Sequence, residues 1–403
     1  MYNLINNTRI LRLTSLKYVL LLVVGVLVIG GFVYASTNAH ISAEAEAGVR
    51  SGTMANVSDA SAAGGLAVKF GQSATNNCAT PERLTVSSAN QEDYPAYPIG
   101  TKLYVPGGPD PWGGCFPNES NTGVPVGTTL TTYSGPCIIT VANTVIDSKQ
   151  VNCDLDIRAQ NVQITKSSVV GRVYLDDTRC STASFTIRDS SVHVPYRGTR
   201  ALMYCSYVAE RVNLSGGGSM ATCSNCIIKD SYLHSPLEDP NGKDHNSTVR
   251  IGHNAIIEHN TLHCEVKSYA SNDGSGETSG CSANQTGYSH DGLPPYNSTL
   301  TKNFYFATNG GYCGYGGSTG PPGANLVHDV KYINNIFQRG KMGAWGWNPV
   351  AYICGGYGPI TSLDLGRPGN EFTGNTWDNG KPLTTEQNNW AQSACGSQPQ
   401  CTW

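Results

Sequence analysis

The sequence predicts an all-β chain, most of it wound into a single-stranded right-handed parallel β-helix behind an apolar N-terminal helix. Three observations predict it: a composition rich in turn residues and poor in charge, a short apolar–polar unit recurring at coil-length intervals, and cysteines confined to the chain beyond an export signal. The 403 residues include 46 glycines and only 14% charged residues, a balance that favours turn-rich β structure over helices built on Ala, Leu, Glu and Lys. A net charge of −3 gives no electrostatic footprint for nucleic acid.

Residues 18–35, YVLLLVVGVLVIGGFVYA, carry no charge, and Arg9, Arg12 and Lys17 precede them. At 1.5 Å per residue the run spans about 27 Å, enough for a thin bilayer core with the N-terminus cytoplasmic. Residues 1–35 are therefore expected to be a signal anchor or a signal peptide cleaved after Ala35. Either way the remainder is exported, secreted or held by the membrane helix. All 14 cysteines lie between Cys78 and Cys401, and an even number in an oxidising compartment implies disulfides. Sequence does not fix their connectivity; pairing of sequential neighbours gives Cys137–Cys153, Cys264–Cys281, Cys313–Cys354 and Cys395–Cys401. Cys223-x-x-Cys226 suits a redox or zinc motif as well as a local disulfide, and the lack of a second pair at ligand spacing favours the disulfide.

Residues 36–75 are rich in Ala, Ser and Gly and read as a linker. Residues 76–136, with YPAYPIGTKLYVPGGPDPWGG, read as an irregular N-terminal cap, which solenoids need. Residues 137–383 are the expected β-helix, and 384–403 a cysteine-containing tail.

The β-helix rests on an octapeptide, apolar-x-apolar-x-x-Ser/Asn-x-apolar. It occurs at VQITKSSV (162–169), FTIRDSSV (185–192), CIIKDSYL (226–233), AIIEHNTL (255–262), STLTKNFY (298–305), VKYINNIF (330–337) and NEFTGNTW (370–377). YVAERVNL (207–214) fits with Val212 in the polar slot. The marker residues are Ser167, Ser190, Val212, Ser231, Asn260, Asn303, Asn335 and Asn375; their first four spacings are 23, 22, 19 and 29 residues, about one coil each. Two alternating inward residues make a strand, the Ser or Asn makes the bend, and the next apolar residue turns inward again. One such unit buries nothing alone, so its face must be covered by the next coil, with Asn260, Asn303 and Asn335 forming a hydrogen-bonded ladder. The later spacings of 43, 32 and 40 imply loops inserted between coils. A β-sandwich would explain the alternation but not the recurring polar bend.

Two resemblances follow. Residues 43–71, AEAEAGVRSGTMANVSDASAAGGLAVKFG, resemble the opening strands of jelly-roll carbohydrate-binding modules, but thirty residues do not close a jelly roll. SNTGVPVGTTLTTYSGPCIITVANTVIDSKQVNCDLDI, GYCGYGGS, NNIFQRG and YGPITSLDLGRPGNEFTGNTWDNG resemble the secreted right-handed parallel β-helix repeat proteins of bacteria, relatives of the pectin-lyase-like solenoids, over about residues 117–382. The resemblance implies the fold, and by analogy a polysaccharide ligand.

Candidate chemistry gathers in KDHNSTVRIGHNAIIEHNTLHCE (243–265). In β-helix polysaccharide lyases a base removes a proton beside a uronate carboxylate that a cation or metal neutralises. By that analogy His245 is the candidate base and Arg250 the carboxylate clamp, with His253 nearby; the His-x-Asp-Gly of related solenoids is missing at His245. GYSHDG (287–292) resembles mannuronan epimerases through Tyr288, His290 and Asp291, without the full Asp-Pro-His motif. The paired carboxylates of polygalacturonase-like hydrolases have only Asp176 and Asp177 as counterparts. Calcium, which bridges uronates in many lyases, is the one cofactor the resemblance suggests, with Asp154, Asp156, Asp176 and Asp177 as contributors; no metal-ligand set is assigned. Tyr312, Tyr315, Trp345 and Trp347, with Tyr288, are candidate sugar-stacking residues. The expectation is thus a monomeric extracytoplasmic protein that binds polysaccharide or processes it as lyase, epimerase or hydrolase, against a non-catalytic structural surface protein or adhesin.

Overall fold

The computed structural model describes residues 54–58, 66–70, 78–80, 82–94, 97–288, 294–308, 312–318, 323–339, 354 and 359–383. The chain divides into two units, 1–74 and 75–403. In the first, strands Met54–Ser58 and Leu66–Phe70 pair as an antiparallel hairpin. The anchor expected at 18–35 lies outside the described residues, among which no helix is long and apolar enough to cross a membrane.

The second unit is all-β, with only two short 3₁₀ turns, Asp177–Arg179 and Ala324–Leu326, among the described residues. Three parallel sheets run through it, a first of nine strands and a second and third of ten each. Consecutive strands visit first, second and third sheet in turn, as at Phe185–Arg188, Ser191–Val194 and Arg200–Met203, before the next coil begins at Tyr207–Glu210. Each strand pairs in parallel with the strand one coil away. This arrangement fits a parallel β-helix.

The octapeptide supplies the first sheet, the bend and the second sheet. Its second inward position stacks as Ile164, Ile187, Ala209, Ile228, Ile257, Leu300 and Tyr332, all fully buried. Past the bend, the second sheet sends in Val169, Val192, Leu214, Leu233, Leu262, Tyr305, Phe337 and Trp377. The marker residues do line up along one edge. The backbone N–H of Ser167 donates to Ser190 Oγ (3.0 Å), that of Ser231 to Asn260 Oδ1 (3.0 Å), and Asn260, Asn303 and Asn335 donate in turn to Asn303, Asn335 and Asn375 at 2.9, 3.0 and 2.8 Å. Val212 offers no oxygen, so the chain of bonds breaks there and resumes at Ser231, which accepts from Val212 N–H at 3.1 Å. The bend has a second feature that the pattern did not announce. The residue before each of the first seven markers, Lys166, Asp189, Arg211, Asp230, His259, Lys302 or Asn334, has φ between +46° and +58°, and Gly374 before the last has φ +67°. These left-handed residues, uncommon outside glycine, let the strand turn within one residue.

The described residues between 78 and 132 form a strap that runs back along the outer face of the second sheet. At the far end, Tyr97 donates from its hydroxyl to the buried Asp378 carboxylate, and Tyr104 N–H bonds Asp378 O at 2.7 Å. Midway, Phe116 packs on Phe304 and Ile336, and His259 bonds Asp110. Further on, Gly123 N–H donates to Arg211 O (2.9 Å), and Thr131–Thr132 finally pairs beside Lys149–Val151 as the first coil starts.

Among the described residues six disulfides are present: Cys137–Cys153, Cys223–Cys226, Cys264–Cys281 and Cys313–Cys354 as expected, and in addition Cys78–Cys115, which staples the strap, and Cys180–Cys205. Cys395 and Cys401 lie outside the described residues. This many disulfides indicates an oxidising, extracytoplasmic environment.

Candidate functional site

The third sheet carries a column of polar side chains. Its register aligns Thr222, Arg250, Thr286, Tyr315 and Thr361 on successive coils. Strand alternation fixes their direction: their neighbours Ala221, Val249 and Gln285 are fully buried in the interior, so this column points outward. Gly314 is in the inward column because a side chain there would strike Ile360 Cδ1 at 2.3 Å and Gln285 Oε1 at 3.1 Å.

Two arginines lie on this sheet. Arg250 donates from Nη2 to the carbonyl of His245 at 3.1 Å, and its basicity is lowered by burial, with Tyr288 and Asp244 acting in the opposite sense. Arg200, in the strand Arg200–Met203, is pushed down to about 10 by burial and then by the positive charge of Arg250. Neither forms an ion pair with a carboxylate among the described residues. The Nε atoms of both, and the hydroxyls of Thr222 and Thr286, are buried without a hydrogen-bond partner in the described structure. A buried cation costs free energy unless it is paired, so the site is poised for an anion.

Tyrosines border it. Tyr288 and Tyr315 stack with centroids 5.0 Å apart and planes 4° from parallel, and Tyr312 lies 5.7 Å from Tyr315. Burial, then a hydrogen bond and charge interaction with Tyr315, raises the Tyr288 phenol. Tyr315 is 8% exposed, so its ring mainly packs, whereas Tyr288 keeps more of its surface open.

The histidines go elsewhere. His245 is exposed at the head of His245–Ile251. His253 sits at the corner leading to the first sheet, stacked on Tyr296 at 5.1 Å and 3.2 Å from the Asn225 amide, on a cavity of about 420 Å³ that Tyr204 also lines. His259 is held by Asp110 (3.0 Å) and Asp230 (2.7 Å); burial opposes its charge, but the two carboxylates raise it to about 9. His263 bonds Tyr232 and Glu265. The structure thus brings Arg250, Tyr288, Tyr312 and Tyr315 to one face and sets His253 apart from it. His290, Asp291, Trp345 and Trp347 lie outside the described residues.

The acids suggested for calcium are engaged internally: Asp154 with Arg172 at 2.8 Å, Asp156 with Arg158, and Asp176 as the cap of Asp177–Arg179. No group of metal-ligand residues occurs among the described residues. Sequence reading missed Arg200, Thr222 and Thr286, because PYRGTRALMYCS carries no octapeptide to register it. Counting one coil back from Arg250 would have found Thr222.

No protein-family model matches the chain, and comparison with characterised proteins and with solved structures finds no match either.

Proposed function

We propose that the chain is an extracytoplasmic, right-handed pectin-lyase-like β-helix protein, secreted or anchored by its N-terminal segment, that binds polysaccharide on the outer face of its third sheet. The observation that carries this reading is Arg250, its Nε buried without a hydrogen-bond partner in the described structure, with the unsatisfied hydroxyls of Thr222 and Thr286 on the coils either side and Tyr288 at the border, and with the charge of Arg200 adding to the positive potential. Such a set matches a sugar bearing a carboxylate or sulfate: Arg250 takes the anionic group, the hydroxyls bond ring substituents, and the phenol ring covers a sugar face. Binding is favoured over turnover because the one carboxylate that acts on Arg250, that of Asp244, makes no ion pair with it, while the histidine suited to act as base stands exposed.

The test is retention on a panel of acidic and neutral polysaccharides in affinity electrophoresis, with absorbance of unsaturated ends followed in parallel, with and without calcium. Retention by acidic glycans that falls at least tenfold in Arg200→Gln/Arg250→Gln supports the reading; no retention by any glycan defeats it. Appearance of unsaturated ends, lost in His245→Ala, would instead make the same face a lyase site.

A further inference from the structure

At the corner where the third sheet passes to the first, successive coils bring Cys205, Ser224, His253, Tyr296, His328 and Pro368 into one column. Cys205 bridges to Ser224 and Tyr296 pairs with His328, while the N–H groups of Asn225, Asn254 and Asp329 bond the carbonyls of His253, Tyr296 and Pro368 at 2.8–2.9 Å. Three of these side chains form a stack. His253 and Tyr296 have centroids 5.1 Å apart and planes 12° from parallel, and Tyr296 and His328 follow at 5.4 Å and 16°. The stack stops at His253. The next place in the column belongs to Ser224, too short to cover an imidazole, and there the surface opens into a cavity of about 420 Å³. One coil further the place is filled again, by Cys205 in its disulfide with Cys180. The cavity is thus a missing rung, bounded by His253 on one side and by the Cys180–Cys205 disulfide on the other.

We propose that one uncharged sugar ring fills this rung, a second glycan site that stands whether or not the outer face of the third sheet binds acidic chains. Spacing argues for the shape of the ligand. Two coil steps of about 4.8 Å set the bounding side chains about 9.6 Å apart. A flat ring takes about 3.5–4.0 Å of contact on each face, about 7–8 Å in all, and the further 2 Å or so matches the pucker of a pyranose. The lining argues for its chemistry. Around the gap stand Asp177, Thr178, Tyr204, Ser224 and Asn225, which carry the hydroxyl, amide and carboxylate groups that bond sugar hydroxyls. Among the described lining residues Asp177 is the one acid, and no lysine or arginine joins it, so a uronate or sulfate is selected against. The imidazole that forms the platform is fixed at one atom and open at the other. Its Nε2 lies 3.2 Å from the Asn225 amide, and its Nδ1 is buried without a hydrogen-bond partner in the described structure.

Saturation-transfer NMR of the full chain with the methyl pyranosides of glucose, galactose, mannose and N-acetylglucosamine at millimolar concentration tests it. At least one of them should bind. Ser224→His places a ring in the missing rung and extends the stack, and should weaken that binding about tenfold, as should His253→Ser, which removes the platform. Circular dichroism checks that both variants are folded. The uronate counterpart of the preferred glycoside should bind several-fold more weakly, and Asp177→Asn should close that difference. p-Cresol, a flat ring, should not compete. Silence from all four glycosides, binding that survives Ser224→His, a preference for the uronate, or displacement by p-cresol overturns the proposal. These probes carry no anion, so their failure leaves retention of acidic glycans untouched, and loss of that retention leaves this site standing.

Discussion

The coils before residue 235 and those after 255 solve the same bend differently. In the earlier half a serine turns the corner. Ser190 accepts the N–H of Ser167 and donates its proton to Arg188 O, 2.7 Å away in its own coil, and Ser231 does the same with Lys229 O. In the later half the residue is asparagine, whose amide reaches the neighbouring coil a second time: Asn260, Asn303, Asn335 and Asn375 donate to Ile228 O, Ile257 O, Leu300 O and Tyr332 O at 2.8–2.9 Å. Toward the last coils the strands after the bend also shorten. Ser191–Val194 and Asn213–Gly216 have four residues to pair with their neighbours, whereas Phe304–Tyr305, Ile336–Phe337 and Thr376–Trp377 have two. Side-chain amides restore inter-coil bonds that the short strands lack, and large rings fill the interior there, as in the Tyr305–Phe337 stack at 4.7 Å.

The sharpest way to break this comparison is to remove one bend residue from each half. Asn303→Ala strands the N–H of Asn260 and the carbonyl of Ile257 in a dry interior; at about 1–3 kcal/mol for each orphaned group, the loss should be about 3–5 kcal/mol. Ser190→Ala strands only the N–H of Ser167, and should cost about 1–2 kcal/mol. Urea unfolding of both variants measures the contrast, and equal losses would show that the amide adds nothing over the hydroxyl.

The strap joins the halves, and His259 is its most telling bond. Burial alone would depress this imidazole, but Asp110 from the strap and Asp230 from the preceding bend hold it at about 9. Because its folded value lies above the ordinary 6.5, the stabilisation is complete below pH 6.5 and is lost as pH rises through about 9. With the side chain 16% exposed, a decline of about 2 kcal/mol across that window is expected. Thermal unfolding followed from pH 6.5 to 9 should show the slope, and His259→Gln should be less stable at pH 6.5 and flat thereafter. A slope that survives the substitution would assign it to other groups.

What could be read beforehand follows from the same geometry. A coil repeats its inward positions, so periodicity exposed Ile187, Leu233 and Leu262 as core and Ser190, Ser231 and Asn260 as one edge. Neighbouring cysteines on adjacent turns of chain, such as Cys264 and Cys281, were legible for a similar reason. The strap was not, because its contacts, Tyr97 with Asp378 and Asp110 with His259, join residues 281 and 149 positions apart and leave no period. Nor did the left-handed bends show, since Lys166, Arg211 and His259 are residues that seldom adopt them. At the site, Arg250 stood out among its histidines, but Arg200 sits where the repeat is silent, and the parallel register aligns it with Ser219 and Ser247 rather than with Arg250.

That site straddles the comparison, with Arg200 on a coil of the serine half and Tyr315 on one of the asparagine half, and it yields the smallest predicted effect. Arg200 is held charged although burial and Arg250 have lowered its basicity to about 10, so its charge opposes folding at neutral pH. Arg200→Gln keeps much of the side chain's length and hydrogen-bonding capacity while removing the charge, and should raise stability by about 1–2 kcal/mol as it weakens retention by acidic glycans. Unfolding in urea, measured beside the affinity electrophoresis, reads both signs. A variant that loses stability would mean that Arg200 already has a partner that neutralises it, and the argument for an external anion would then rest on Arg250 alone.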